Sequence, residues 1–153
     1  MAFEGLFIGI DRYASAEINW LSCASSDAIA LHALFTDTLG GETTLLTDER
    51  ATVAAIGEQF GRLAACSPDD VVVIAFSGHG TETHELVGHD TDPYDLAGTM
   101  IPLTMLGEWC SRIPSRRLVI VRDCCFSGGM GAKALHVEGV PRRAKDRCAR
   151  CLE

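Results

Sequence analysis

Short apolar runs alternate along the chain with stretches whose apolar residues recur every three or four positions. This is the pattern of a mostly parallel α/β sheet. Leu6-Phe7-Ile8-Gly9-Ile10 reads as a first strand. Ser25 or Ser26 is placed to cap a helix whose Leu31, Leu34, Phe35 and Leu39 fall at helical spacing, and Gly40-Gly41 ends it. Thr43-Thr44-Leu45-Leu46 reads as a second strand. The next helix carries Val53, Ile56, Phe60 and Leu63 on one face, with Pro68 beyond its end. Residues 71–76 (VVVIAF) are continuously apolar, as expected of a strand buried on both faces. An acidic loop over residues 78–98 leads to a short helix marked by Leu106, Trp109, Cys110 and Ile113 and stopped by Pro114. Leu118-Val119-Ile120-Val121 forms a fourth strand, and Gly128-Gly129 opens an irregular tail.

The fourth strand is as apolar as the third, yet no later segment patterns as an element that would cover or pair its outer side. A bare apolar edge is an aggregation template. Another polypeptide, or a continuation of this one, is therefore expected to complete the sheet.

Composition narrows the class. The 153 residues are 47% hydrophobic and 22% charged, which suits one domain with one core and excludes a disordered or low-complexity chain. No apolar run approaches the roughly 18 residues of a membrane span. The first residues, Met1-Ala2-Phe3-Glu4, lack the basic flank and apolar core of a signal peptide, and the 7 cysteines are odd in number. Reduced thiols in a cytoplasmic protein, with no membrane partner, are the expectation. Net charge is −8 but unevenly spread. Residues 1–111 carry 3 basic against 17 acidic side chains, which disfavours nucleic-acid binding through phosphates. Residues 112–153 carry 10 basic against 4 acidic, most densely between Pro141 and Arg150. Charge alone would equally suit a solvated chain end.

Common site motifs are absent: no G-x-G-x-x-G after a strand, no P-loop, no G-x-S-x-G elbow. Cys148 and Cys151 make one half of a zinc motif without a second pair, so no metal site is assigned. Two glycine-flanked segments stand out, each directly after an apolar strand: Phe76-Ser77-Gly78-His79-Gly80 and Asp123-Cys124-Cys125-Phe126-Ser127-Gly128-Gly129. Sites in open parallel sheets form beyond the carboxyl ends of the strands. If strands three and four are neighbours, His79 meets a cysteine there. A neutral imidazole takes a proton from a thiol, and the thiolate is the nucleophile. Extended residues alternate sides, so Asp123 and Cys125 point one way and Cys124 the other, toward the core. That parity favours Cys125 as nucleophile. The backbone N–H groups of Gly80 and Cys125 are candidates for an oxyanion hole.

The two segments resemble the histidine and cysteine motifs of the caspase-like cysteine peptidases, most closely the metacaspase and prokaryotic caspase-like branch. His79 precedes Cys125 by 46 residues, in keeping with the spacing of about 50 in caspases. Leu21-Ser22-Cys23-Ala24-Ser25-Ser26-Asp27-Ala28 resembles the family's entry into its first helix, and the segments from Glu85 to Val87 and on to Asp95-Leu96 resemble the loop before its third. The resemblance spans residues 3–131, the large-subunit region. It implies a three-layer α/β sandwich around a mostly parallel sheet, incomplete in this chain and completed by a small subunit. The catalytic domain would cover residues 1–131, followed by a basic linker over 132–153.

The resemblance further implies an endopeptidase that cleaves protein or peptide substrates after Arg or Lys through a Cys125–His79 dyad. Asp123 stands where metacaspases carry an acid, and Asp27, Ser77 and Asp123 map onto the acidic pocket for the residue before the scissile bond. Plainer roles exist for each: a helix N-terminus for Asp27, a turn for Ser77, a solvated strand end for Asp123. Many metacaspases use calcium. Asp90, Asp92 and Asp95 form an oxygen-rich run, although their spacing departs from the family's calcium pattern. Arg142, Arg143, Lys145, Arg147 and Arg150 are candidate self-cleavage positions, lying where the family links its subunits. The alternative is a non-catalytic caspase-like module that scaffolds or regulates an assembly.

Overall fold

The computed structural model describes residues 1–125, the last of them by its backbone alone. The tail expected over residues 132–153, with its cleavage candidates and the Cys148 and Cys151 pair, lies outside the described residues. Four strands, β1 (Phe3–Gly9), β2 (Glu42–Thr47), β3 (Val71–His79) and β4 (Arg117–Cys125), form one sheet in the order β2-β1-β3-β4. Every pairing is parallel. Helix α1 (Ala24–Leu39) covers one face, while α2 (Val53–Leu63) and α4 (Leu103–Ser111) cover the other; a single turn, α3 (Leu96–Thr99), precedes α4. Among the described residues no helix is long and apolar enough to cross a membrane.

The strand periodicity assigns side chains to the two faces. Leu6, Ile8, Val72, Ile74 and Phe76 join Ile56, Phe60 and Leu63 of α2 and Leu106 of α4 in the larger core. Phe3, Phe7, Val73 and Ala75 meet Leu31 and Phe35 of α1 on the opposite face. The expected α2 face is the buried one, and the hydroxyl of Thr52 caps it by accepting the Ala55 N–H.

Helix α1 differs from the sequence expectation at both its cap and its buried stripe. Neither Ser25 nor Ser26 is the cap. The helix begins after Cys23, and the carboxylate of Asp11 accepts the first N–H groups, from Ala24 at 2.8 Å and Ser25 at 3.1 Å. An anion thus satisfies the positive end of the helix from 13 residues upstream. Ser25 instead lies with its hydroxyl 3.2 Å from both the Gly9 carbonyl and the Asp48 carboxylate. The buried stripe begins with Ala24 and Ala28, while Leu34 and Leu39 face solvent. Small residues are required there because α1 lies almost on β1. A Cβ on Gly9 would come within 2.4 Å of the Ala24 carbonyl oxygen and 2.7 Å of the Ala28 Cβ.

Strand β4 is the sheet edge. Val119, Ile120 and Val121 are 50%, 39% and 45% exposed, although they continue the apolar pattern of β3. Neither α1 nor α4 reaches far enough to cover both faces of this strand.

The approach of α1 to β1 yields a direct test. Gly9→Ala should displace the helix and destabilise the protein by about 1–3 kcal/mol, the usual range for overpacking a tight contact. Urea denaturation followed by circular dichroism measures this, and an unchanged midpoint would contradict the close approach.

Candidate active site

Within the two chemistry-bearing segments, residues 77–79 and 123–125 are the paired ends of adjacent strands. The sequence pattern ends the third strand at Phe76 and the fourth at Val121, but the ladder runs on in register through Ser77 beside Asp123, Gly78 beside Cys124 and His79 beside Cys125. Polar residues end the apolar run without ending the hydrogen bonding. A Cβ at Gly78 would fit tightly, 3.2 Å from the Phe76 ring and from the Tyr13 hydroxyl. Neighbouring parallel strands are about 4.8 Å apart, so the backbones of His79 and Cys125 stand side by side.

His79 is buried, and its imidazole is fixed from two directions. Its Nε2–H donates to the Asn19 carbonyl at 2.7 Å. A carbonyl can only accept, so in the neutral ring the proton sits on Nε2 and Nδ1 keeps its lone pair. The ring also packs on Tyr13, with centroids 5.2 Å apart. The Tyr13 hydroxyl accepts the His79 backbone N–H at 2.8 Å and reaches the Ile10 carbonyl at 3.3 Å. Burial raises the Tyr13 phenol well above its ordinary pKa, so it stays neutral.

Asn19 is presented by a loop over residues 10–23 with a heavily bonded base. The Asp48 carboxylate accepts the N–H groups of Asp11 and Arg12 at 2.9 Å each, and Leu21 N–H donates to the Asp11 carbonyl at 2.8 Å. His89 Nδ1–H donates to the Arg12 carbonyl at 2.8 Å. Sequence reading missed Asn19 and Tyr13. The Asn19 contact uses a backbone carbonyl, which leaves no side-chain signature. Tyr13 is an aromatic residue just past a strand end, a signal that could have been followed.

Beside this pair lies a cavity of about 320 Å³, lined by Asp27 from α1, Ser77 from β3 and Asp123 from β4, with Ile8, Leu31 and Val121 as apolar wall. The three residues expected to act together thus share one cavity. No basic side chain lines it among the described residues. Burial raises the Asp27 pKa above that of an ordinary aspartate, and the negative charges of Asp123 and Asp11 act in the same direction. Asp27 also occupies the first turn of α1, but the N–H groups there are taken by Asp11.

The remaining expected residues are placed as follows. Cys124 packs against the larger core, beside Gly80, whose added Cβ would stand 3.1 Å from that of Cys124. Asp90, Asp92 and Asp95 each accept a backbone N–H, from Val53, Tyr94 and Gly98. Among the described residues no three His, Cys, Asp or Glu side chains converge as a metal site would require.

An all-parallel sheet between helical layers, with a histidine and a cysteine on adjoining strand ends, defines the α/β caspase-like fold. The sequence model of the caspase domain family, Peptidase C14, matches residues 5–150. The chain belongs to this family of cysteine peptidases. A Geobacter sulfurreducens protein solved by crystallography superimposes with a TM-score of 0.67 at 18% identity, over 82% of this chain and 51% of that one. The structure of pro-Sf-caspase-1 superimposes with a TM-score of 0.53 at 14% identity, over 92% of this chain and 54% of that one. The chain therefore spans about half the length of either structure. No curated protein sequence matches it.

The cavity electrostatics are open to titration. An NMR pH titration should place the Asp27 carboxyl above the ordinary aspartate range. Asp123→Asn should lower it without normalising it, because burial remains the larger cause. The folded state holds this proton more tightly than the unfolded chain does. Ionisation of Asp27 therefore weakens the fold as pH rises from the unfolded to the folded pKa. An ordinary Asp27 pKa, indifferent to Asp123, would contradict the shared cavity.

Proposed function

We propose that this chain is the large-subunit region of a metacaspase-like cysteine endopeptidase that cleaves after Arg or Lys. The observation that carries the reading is the pair of carboxylates, Asp27 of α1 and Asp123 of β4, lining one cavity that no basic side chain lines among the described residues, with Asp123 two positions along the β3–β4 register from the His79–Cys125 pair. Bringing a guanidinium or ammonium between them relieves their mutual repulsion, which acts on Asp27 in the same direction as its desolvation. Arg fits better than Lys where two carboxylate bonds can form, and an acidic side chain is rejected by like charge.

In this reading the Cys125 thiol gives its proton to Nδ1 of His79, and the thiolate attacks the scissile carbonyl carbon. The N–H groups of Gly80 and Cys125 receive the oxyanion. The tetrahedral intermediate collapses, the C–N bond breaks, and His79 returns the proton to the departing amine. A water molecule, deprotonated by His79, then hydrolyses the thioester and frees Cys125. The Asn19 carbonyl holds the imidazole in the required tautomer and stabilises its protonated form, the part a carboxylate plays in other triads. No cofactor enters these steps. A reduced, cytoplasmic setting suits the free thiol. The open edge of β4 is where a small subunit would pair, its own elements covering Val119 and Val121 on one face and Ile120 on the other.

Self-processing follows from the same specificity. The acidic cavity wants a basic side chain, and Arg142, Arg143, Lys145, Arg147 and Arg150 are concentrated just downstream of the nucleophile.

An Arg-ended peptide electrophile should label Cys125, and Cys125→Ala should abolish labelling and lower cleavage by several orders of magnitude. Cys124→Ala should retain substantial activity. Mass spectrometry of the same preparations should find cleavage between residues 131 and 153 in active protein but not in Cys125→Ala. Equal loss in both folded cysteine variants would undo the assignment, and an unreactive Cys125 would favour the scaffold reading.

A further inference from the structure

Arg122 is the one charged residue between Leu118 and Val121 on one side and the Asp123-Cys124-Cys125 segment on the other, three positions before the nucleophile of the proposed reaction. It lies on β4 beside Phe76 of β3 and is half-buried. Placing a guanidinium in an apolar strand requires a compensating partner. No carboxylate provides one among the described residues, and its buried Nε finds no acceptor among them. Its guanidinium makes a short bond instead to a backbone oxygen: Nη2–H donates to the His84 carbonyl at 2.6 Å.

His84 belongs to the turn that follows His79 and Gly80. Its φ of +72° is left-handed, a conformation uncommon for a residue other than glycine. Within the turn, His84 N–H donates to the Thr81 carbonyl at 2.9 Å and Thr81 N–H to the Glu85 carbonyl at 3.1 Å. The hydroxyls of Thr81 and Thr83 donate to the Glu85 carboxylate, holding its pKa below the usual range. The turn is therefore closed by its own hydrogen bonds. Gly80 sits at its base, with room for a Cβ only 3.3 Å from the Glu85 carbonyl oxygen.

The two N–H groups assigned to the oxyanion hole belong to separate segments, Gly80 to this turn and Cys125 to β4. The guanidinium of Arg122 bonds one segment to the other. We propose that Arg122 is a positioning residue that clamps the Thr81–Glu85 turn to β4 and so sets the Gly80 N–H against that of Cys125. It touches neither substrate nor reacting atoms. The proposal rests on the peptidase reading for its catalytic consequence, while the clamp itself is a property of the fold. Any hydrogen-bond donor of similar reach would serve, so Lys should substitute in part where Ala cannot.

The test uses the full chain as wild type, Arg122→Ala and Arg122→Lys, with three readouts. Hydrogen exchange of the residue 80–86 backbone should quicken at least tenfold in Arg122→Ala. The kcat for an Arg-ended amide should fall about 10- to 100-fold at nearly constant KM, less than outright loss of an oxyanion donor. Alkylation of Cys125 by iodoacetamide, which needs the thiolate but forms no oxyanion, should stay within twofold. Arg122→Lys should recover most of the kcat. Unchanged exchange, wild-type kcat, or a parallel loss of alkylation and kcat would each overturn the proposal. Should Arg122→Ala fail to fold, Arg122→Met, which keeps the apolar stem without the donor, decides: quickened exchange and lowered kcat with alkylation retained support the clamp, and wild-type exchange and kcat, or a loss of alkylation with kcat, overturn it. An inactive wild type whose exchange still depends on Arg122 would instead overturn the peptidase reading.

Discussion

The register between β3 and β4 is the constraint on which the rest of the site depends. A parallel ladder fixes which residues stand side by side, and a slip of one position moves every side chain to the other face. Here the ladder runs without interruption to His79 beside Cys125 and Ser77 beside Asp123. The same pairing thus brings the proposed base to the proposed nucleophile and puts an acidic wall on the neighbouring cavity. The apolar runs of both strands set this register from the core outward, so packing many residues away from the chemistry determines its geometry.

The surroundings of His79 show how the remaining precision is supplied. The ring is held by one side chain and one backbone carbonyl, Tyr13 and Asn19, both on the loop after β1. That loop is in turn tied to Asp48 at the end of β2 and to His89 beyond β3. Three strand ends therefore converge on one imidazole. Asp11 contributes twice, with its backbone fixing the loop and its carboxylate satisfying the start of α1, the helix that carries Asp27. A disturbance of this acidic anchor would reach the base and the cavity together.

What was legible in the sequence was whatever repeats locally or combines reactive residue types. The continuous run before Ser77 identified β3, the apolar positions of α2 identified its buried face, and glycine-flanked His and Cys segments identified the chemistry. Contacts made across long stretches of chain were not legible. The cap of α1 comes from Asp11 rather than the adjacent serines, because a carboxylate folded back from the preceding loop competes successfully with a local hydroxyl. The Asn19 carbonyl could be replaced by that of any residue with the same backbone path. Strand ends were set too early, since hydrogen bonding continues through Ser77, His79 and Asp123 after the apolar pattern has stopped.

The family assignment places the chain among the cysteine peptidases, and the cavity suggests which bonds the proposed peptidase would act on. Two carboxylates drawn together by α1 and β4, with Asp27 held above its ordinary pKa, form a site whose electrostatic deficit a basic side chain would fill. The most direct test is the ratio of kcat/KM for two fluorogenic peptides at neutral pH, identical except for Arg or Asp before the scissile bond. The account predicts cleavage of the Arg peptide and at least a hundredfold discrimination against the Asp peptide, the scale expected when a charge is left unpaired in such a site. Preference for the Asp peptide, or equal rates for the two, would contradict it.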